Sequence, residues 1–228
     1  MMTRQRCREQ CRRRLVDGAQ RKYRAANISL IPACRLSAAG LKAERQEPVI
    51  VILFETFLLV LAAGLALVLD INLFGRIVVT PQAVMLGVAA AILPNLVLAP
   101  ATLRSQALWA VNLRERTAAM LRRVFGNRPG PVAALAVGYG GIAEEALFRG
   151  VLIPALSPYV SPWGAVIIVG AGFGLLHPLT RLYVVLAALL GIFWGALYVW
   201  TGNLLVPMIA HALNNIIAMA WYSRTAES

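Results

Sequence analysis

The sequence predicts an all-α fold, a polytopic membrane helical bundle of about six transmembrane helices with N-in/C-in topology. Three observations carry that reading. The 228 residues are 59% hydrophobic and only 14% charged, where a soluble domain has roughly a quarter charged. The mean hydropathy is +0.69. The apolar residues fall into stretches near the ~20 residues that a bilayer crossing requires, and the basic residues gather between them on one side.

Residues 1–47 hold twelve Lys/Arg against four acids and have no apolar periodicity, so they read as a basic, disordered cytoplasmic tail. The membrane domain follows over 48–228. The tail is too long for the short basic region of a signal peptide. An organellar transit peptide or a mis-assigned start stay open as alternatives. Cys7, Cys11 and Cys34 all lie in this tail. Their odd number and spacing fit neither a disulfide framework nor a zinc ribbon, so they read as reduced thiols.

The spans follow in order. Residues 49–69 form the first, interrupted only by Glu55, which two turns from the inner end can snorkel to the surface. Residues 81–103 form the second, with a kink expected at Pro94. Residues 131–156 form the third, long and carrying Glu144, Glu145 and Arg149; its Gly138-Tyr139-Gly140-Gly141 cluster is a candidate bend. The fourth, 162–179, is short and glycine-rich and contains His177. The fifth is 182–200, and the sixth, 204–222, carries His211, Asn214 and Asn215.

Charge supports this order. With the N-terminus inside, the inner loops hold six Arg against Glu115 over 104–128, then Arg181 and Arg224. The outer loops hold only Asp70 and Arg76. That asymmetry follows the positive-inside rule, which explains the net charge of +12 without nucleic acid as a partner. Residues 105–124 mix Trp109 and leucines with arginines and suit a helix lying flat on the inner surface.

Ionisable residues within a membrane cost roughly 2.5–3.5 kcal/mol each on insertion scales, so they tend to line a bundle interior and carry function. Glu145 and Arg149 are four apart and share a helix face, where an ion pair is natural. Glu144 points about 100° away and stays free to act. A purely structural reading, one salt-bridge network fixing helix packing, stays open for this span alone. His177 and His211 are the only histidines of the chain, and His211 and Asn215 are again four apart. Asn214 can serve simply as polar glue between helices.

No Ser-His dyad or membrane-buried cysteine suggests covalent acyl transfer. A carboxylate and an imidazole can together deprotonate a water, and an imidazole with a carboxamide can stabilise an oxyanion. The alternative is metal-assisted hydrolysis with zinc held by Glu144, His177 and His211, although no HExxH pattern is present. The metal-free chemistry, with no cofactor, is preferred.

Three motifs stand in order: Glu144-Glu145-Ala146-Leu147-Phe148-Arg149, Phe173-Gly174-Leu175-Leu176-His177, and His211-Ala212-Leu213-Asn214-Asn215. In these the chain resembles the CPBP family of intramembrane proteases, the CAAX proteases and bacteriocin-processing enzymes marked by EExxxR, FxxxH and HxxxN. The resemblance covers 131–222, the protease-like core. It implies that Glu144 and His177 activate water, that His211 and Asn215 stabilise the oxyanion, and that Glu145 and Arg149 orient the first glutamate. It also implies a membrane-associated protein or peptide substrate. The expected location is multi-pass in the bilayer of a bacterial inner membrane. Two other function classes stay open, a catalytically silent immunity or scaffold protein and a proton- or ion-coupled transporter. The complete motif set disfavours the first, and the absence of inverted repeats disfavours the second.

Overall fold

The computed structural model describes residues 47–126 and 130–224, and these are helical throughout apart from short connections. The expected tail over 1–47, with its cysteines, lies outside the described residues except for its last position. Among the described residues eight α-helices run in chain order: α1 Glu47–Val68, α2 Pro81–Leu103, α3 Leu108–Phe125, α4 Pro131–Leu147, α5 Ile153–Val160, α6 Pro162–Leu175, α7 Arg181–Thr201 and α8 Leu205–Arg224. A 3₁₀ turn, Phe74–Arg76, precedes α2, and a π-helical turn, Phe148–Leu152, joins α4 to α5.

Local chemistry sets several of these boundaries. Thr80, Ser161 and Thr180 each accept a hydrogen bond from the backbone N–H three residues on, capping α2, α6 and α7. Proline occupies the first turn of α2 and α6, where its missing N–H costs nothing. Gly202, at φ 63°, ends α7 in the left-handed conformation that glycine adopts without a Cβ penalty.

Among the described residues four helices are long and apolar enough to cross a membrane: 48–68, 81–102, 181–201 and 205–223. The chain is therefore an integral helical membrane protein. The two other expected spans differ in form. The third is the broken run α4–π turn–α5. The fourth shortens to the 14 residues of α6, about 21 Å of helix against a ~30 Å hydrocarbon core. Helix α1 turns Val49, Ile50, Leu53, Phe54, Phe57 and Val60 outward, as a lipid-facing helix does.

Helix α4 is continuous through the glycine cluster, whose glycines are close-packing positions. Helix α2 is continuous through Pro94 to Leu103. One sequence expectation is corrected. Glu55 does not snorkel. It is 8% exposed, and a Cβ added at Gly140 would lie 3.1 Å from its carboxyl carbon, so the glycine makes the notch that holds it.

Helix α8 packs on both α2 and α4, α1 packs on α4, and α6 packs on α7. At one end of the bundle the connections interlock. Leu204 N–H donates to Arg76 O at 2.7 Å, Asn203 exchanges hydrogen bonds with the Val78 backbone, and Arg76 donates to the Tyr198 hydroxyl at 2.8 Å. At the opposite end, α3 lies against the ends of α2 and α8, and there the cavity described next is found.

Candidate active site

Glu144 and Glu145 occupy the last turn of α4, just before the π-helical turn. Such turns insert an extra residue and recur at functional sites. Glu145 and Arg149 are both fully buried, and Arg149 Nη1 donates to Glu145 Oε1 at 2.8 Å. Arg149 Nη2 donates to the Gly191 carbonyl of α7 at 2.7 Å. The guanidinium also lies over the Phe173 ring, 4.8 Å from its centroid. The ion pair read from the i,i+4 spacing is thus present, and it ties α4 to α7.

Two glycines set how close the helices come. A Cβ at Gly141 would lie 2.9 Å from the Ala212 nitrogen, so only glycine lets α8 pass this near α4. That approach delivers His211 to both glutamates. His211 Nδ1 sits 2.8 Å from Glu145 Oε1, and Nε2 sits 3.5 Å from Glu144 Oε2. A Cβ at Gly170 would meet the Ile192 backbone nitrogen at 2.7 Å, which closes α6 on α7 in the same way.

His177 lies just past the end of α6, in a turn rather than in the helix expected from sequence. Its Nδ1 is held by the Phe173 carbonyl at 2.8 Å, and its Nε2 faces Glu144 Oε1 at 3.8 Å. Phe173 is the hub of the aromatic packing here. Its ring meets Phe148, His177, Trp194 and His211 at centroid distances of 5.1, 4.4, 6.2 and 5.7 Å. Trp194 stacks on His211 at 3.9 Å with the planes 20° apart.

The tautomers follow from the partners. A backbone carbonyl only accepts, so His177 carries its hydrogen on Nδ1 and leaves Nε2 bare. As the carboxylate partner of Arg149, Glu145 likewise accepts, so His211 Nδ1 carries a hydrogen as well. Both Nε2 atoms face Glu144 at separations beyond a direct hydrogen bond. Acceptors opposed in this way are matched by a donor between them, and a water molecule is such a donor.

Asn215, the remaining sequence candidate, donates only a long hydrogen bond, 3.4 Å, to the Val137 carbonyl. Asn214 is 8% exposed and accepts from Asn95 Nδ2 of α2 at 2.9 Å, as polar glue would. Glu144, His177, His211, Asn214 and Asn215 all line one cavity of about 590 Å³, walled mainly by leucine and aromatic side chains. Glu145 and Arg149 stand behind it, out of contact with the opening.

Three contributors were not read from sequence: Asn95, Tyr183 and Trp194, all on the cavity wall. Asn95 carried a signal, a carboxamide inside an apolar span beside Pro94. Trp194 and Tyr183 carried none, since aromatic residues are common in membrane helices. For the zinc alternative, the donor types of Glu144, His177 and His211 suit the metal. Among the described residues, however, no group of three His, Cys, Asp or Glu is placed to hold a metal ion.

Residues 127–217 match the family described as type II CAAX prenyl endopeptidase Rce1-like. In this segment the chain is similar to the CAAX-protease family. The Rce1-like segment contains all three motifs, and with them Glu144, His177 and His211. A protease family in a membrane setting implies a membrane-associated protein as substrate. No curated protein and no solved structure matches the chain.

Proposed function

We propose that the chain is an intramembrane endopeptidase that cleaves a membrane-associated protein or peptide with a water activated by Glu144 and His177. The observation that carries this is the opposition of two bare imidazole nitrogens to the two oxygens of Glu144 in a cavity that can admit a peptide. Water held there attacks the peptide carbonyl carbon, and its proton passes to Glu144. The carbonyl oxygen becomes an oxyanion, facing the donor Asn215 Nδ2 beside His211. Collapse of the adduct breaks the C–N bond, and Glu144 returns the proton to the leaving amine.

His211 is held between the two glutamates and stacked on Trp194. Glu145 and Arg149 thus act by orienting His211, the residue that Glu145 touches, while Glu144 keeps the reacting face. The cavity lies at the end of the bundle where the Arg-rich helix α3 and Arg181 lie, which is the inner face in an N-in/C-in, six-crossing arrangement. The bilayer we assign is a bacterial inner membrane.

The test is cleavage of a fluorogenic peptide panel by the purified full chain, with and without a chelator, beside Glu144→Ala. Chelator-insensitive cleavage that disappears in the variant supports the activated water. Cleavage lost to chelator and restored by zinc would replace it with a metalloprotease using Glu144, His177 and His211. Absence of cleavage from peptides and membrane-protein substrates alike would favour a silent scaffold.

A further inference from the structure

Helix α3 has two faces with different duties. Leu113, Thr117 and Leu121 are buried and form part of the wall of the active-site cavity. On the opposite side, Trp109, Arg116 and Arg123 repeat at seven-residue intervals and are all exposed, with Arg122 exposed beside them. Leu108 at the start of the helix is 88% exposed and Trp109 is 48% exposed. Arg116 donates through Nε to Asn112 Oδ1 at 3.1 Å, a bond along its own helix that leaves its terminal nitrogens available outward. Arg114 is committed inward. Its Nη1 donates to the carbonyls of Thr102 and Ser105, fastening α3 to the end of α2.

Helix α2 is long and apolar enough to span the membrane, so the helix fastened to its end lies at the membrane surface. We infer that the outer face of α3 is a docking surface for anionic phospholipid headgroups, with Arg116, Arg122 and Arg123 as the phosphate-binding residues. The charge is complementary, with Glu115 as the only acid on the helix. Arginine's planar fork suits a phosphate group, and basic side chains at this depth attract anionic lipids. Exposed Leu108 and Trp109 favour a lipid occupant over a soluble acidic peptide. They sit where an interfacial helix inserts apolar and indole side chains beside the headgroups. Bound lipid would steady a helix that is also a wall of the cavity. The inference does not depend on the chemistry proposed for Glu144.

The test uses the full chain in phosphatidylcholine vesicles containing either spin-labelled phosphatidylglycerol or spin-labelled phosphatidylcholine. The motionally restricted fraction reports lipid held at the protein and needs no enzymatic activity. Wild type is expected to favour phosphatidylglycerol about five-fold or more, since one surface arginine alone contributes roughly that factor. R116Q/R122Q/R123Q should lose most of the preference, R116K/R122K/R123K should recover much of it, and high salt should weaken it. Equal retention of both lipids by wild type, or a preference unchanged in the Gln variant, overturns the inference. So does binding of an acidic peptide that needs the three arginines while no lipid preference exists.

Discussion

Arg149 is fully buried, and its charge is answered by Glu145, the Gly191 carbonyl and three aromatic faces. Removing one member of such a pair leaves the other charge stranded in low dielectric, which costs about 3–5 kcal/mol. Arg149→Ala is therefore expected to lower the thermal unfolding midpoint in detergent substantially and to reduce cleavage through a displaced His211. A variant as stable and active as wild type would contradict the positioning role. Trp194 offers a gentler probe. Its stacking on His211 is worth about 0.5–1.5 kcal/mol beyond area burial, so Trp194→Leu should lower kcat by up to about tenfold with KM little changed. A change confined to KM would instead assign Trp194 to substrate binding.

Among the elements, α4 and α8 form the pair on which the site depends, and Gly141 fixes their separation. In Gly141→Val the added side chain meets the Ala212 backbone, which cannot move aside as a flexible side chain can. Overpacking of this kind costs about 1–3 kcal/mol. Because it also withdraws His211 from both glutamates, activity should fall further than stability, by about a hundredfold in kcat. Comparison of kcat with the unfolding midpoint checks this. The Gly140 notch holds a different group. Glu55 Oε2 is buried and lacks a hydrogen-bond partner, so Glu55→Gln should leave the unfolding midpoint unchanged or raised. A large loss of stability would reveal an ionic role for this carboxylate that the packing does not display.

For the whole molecule, the helical membrane class was legible because lipid imposes a simple rule: backbone groups satisfied within helices, apolar side chains outside. The Glu145–Arg149 pair was legible because an i,i+4 spacing acts within one helix. The approach of His211 was not, since it depends on where a glycine of α4 meets the backbone of α8. Nor was the π-helical turn, or the position of His177 beyond its helix, because both arise from packing between distant segments. Glu55 was misread for the same reason: depth in a span was visible in sequence, while the notch at Gly140 was not. Every side chain placed around the cavity lies between Asn95 and Tyr222. Deleting residues 1–47 should accordingly leave cleavage in vesicles within a few-fold of wild type, as a rate comparison at matched protein density would measure.

The central claim is that Glu144 takes the proton of the attacking water. Its most direct test is single-turnover cleavage by Glu144→Gln in vesicles, with folding verified by the unfolding midpoint. Gln keeps the shape of the side chain and removes its basicity, so the rate of bond cleavage should fall by about 10²–10⁴ at unchanged substrate affinity. A folded Glu144→Gln that cleaves within a few-fold of wild type would show that the base lies elsewhere.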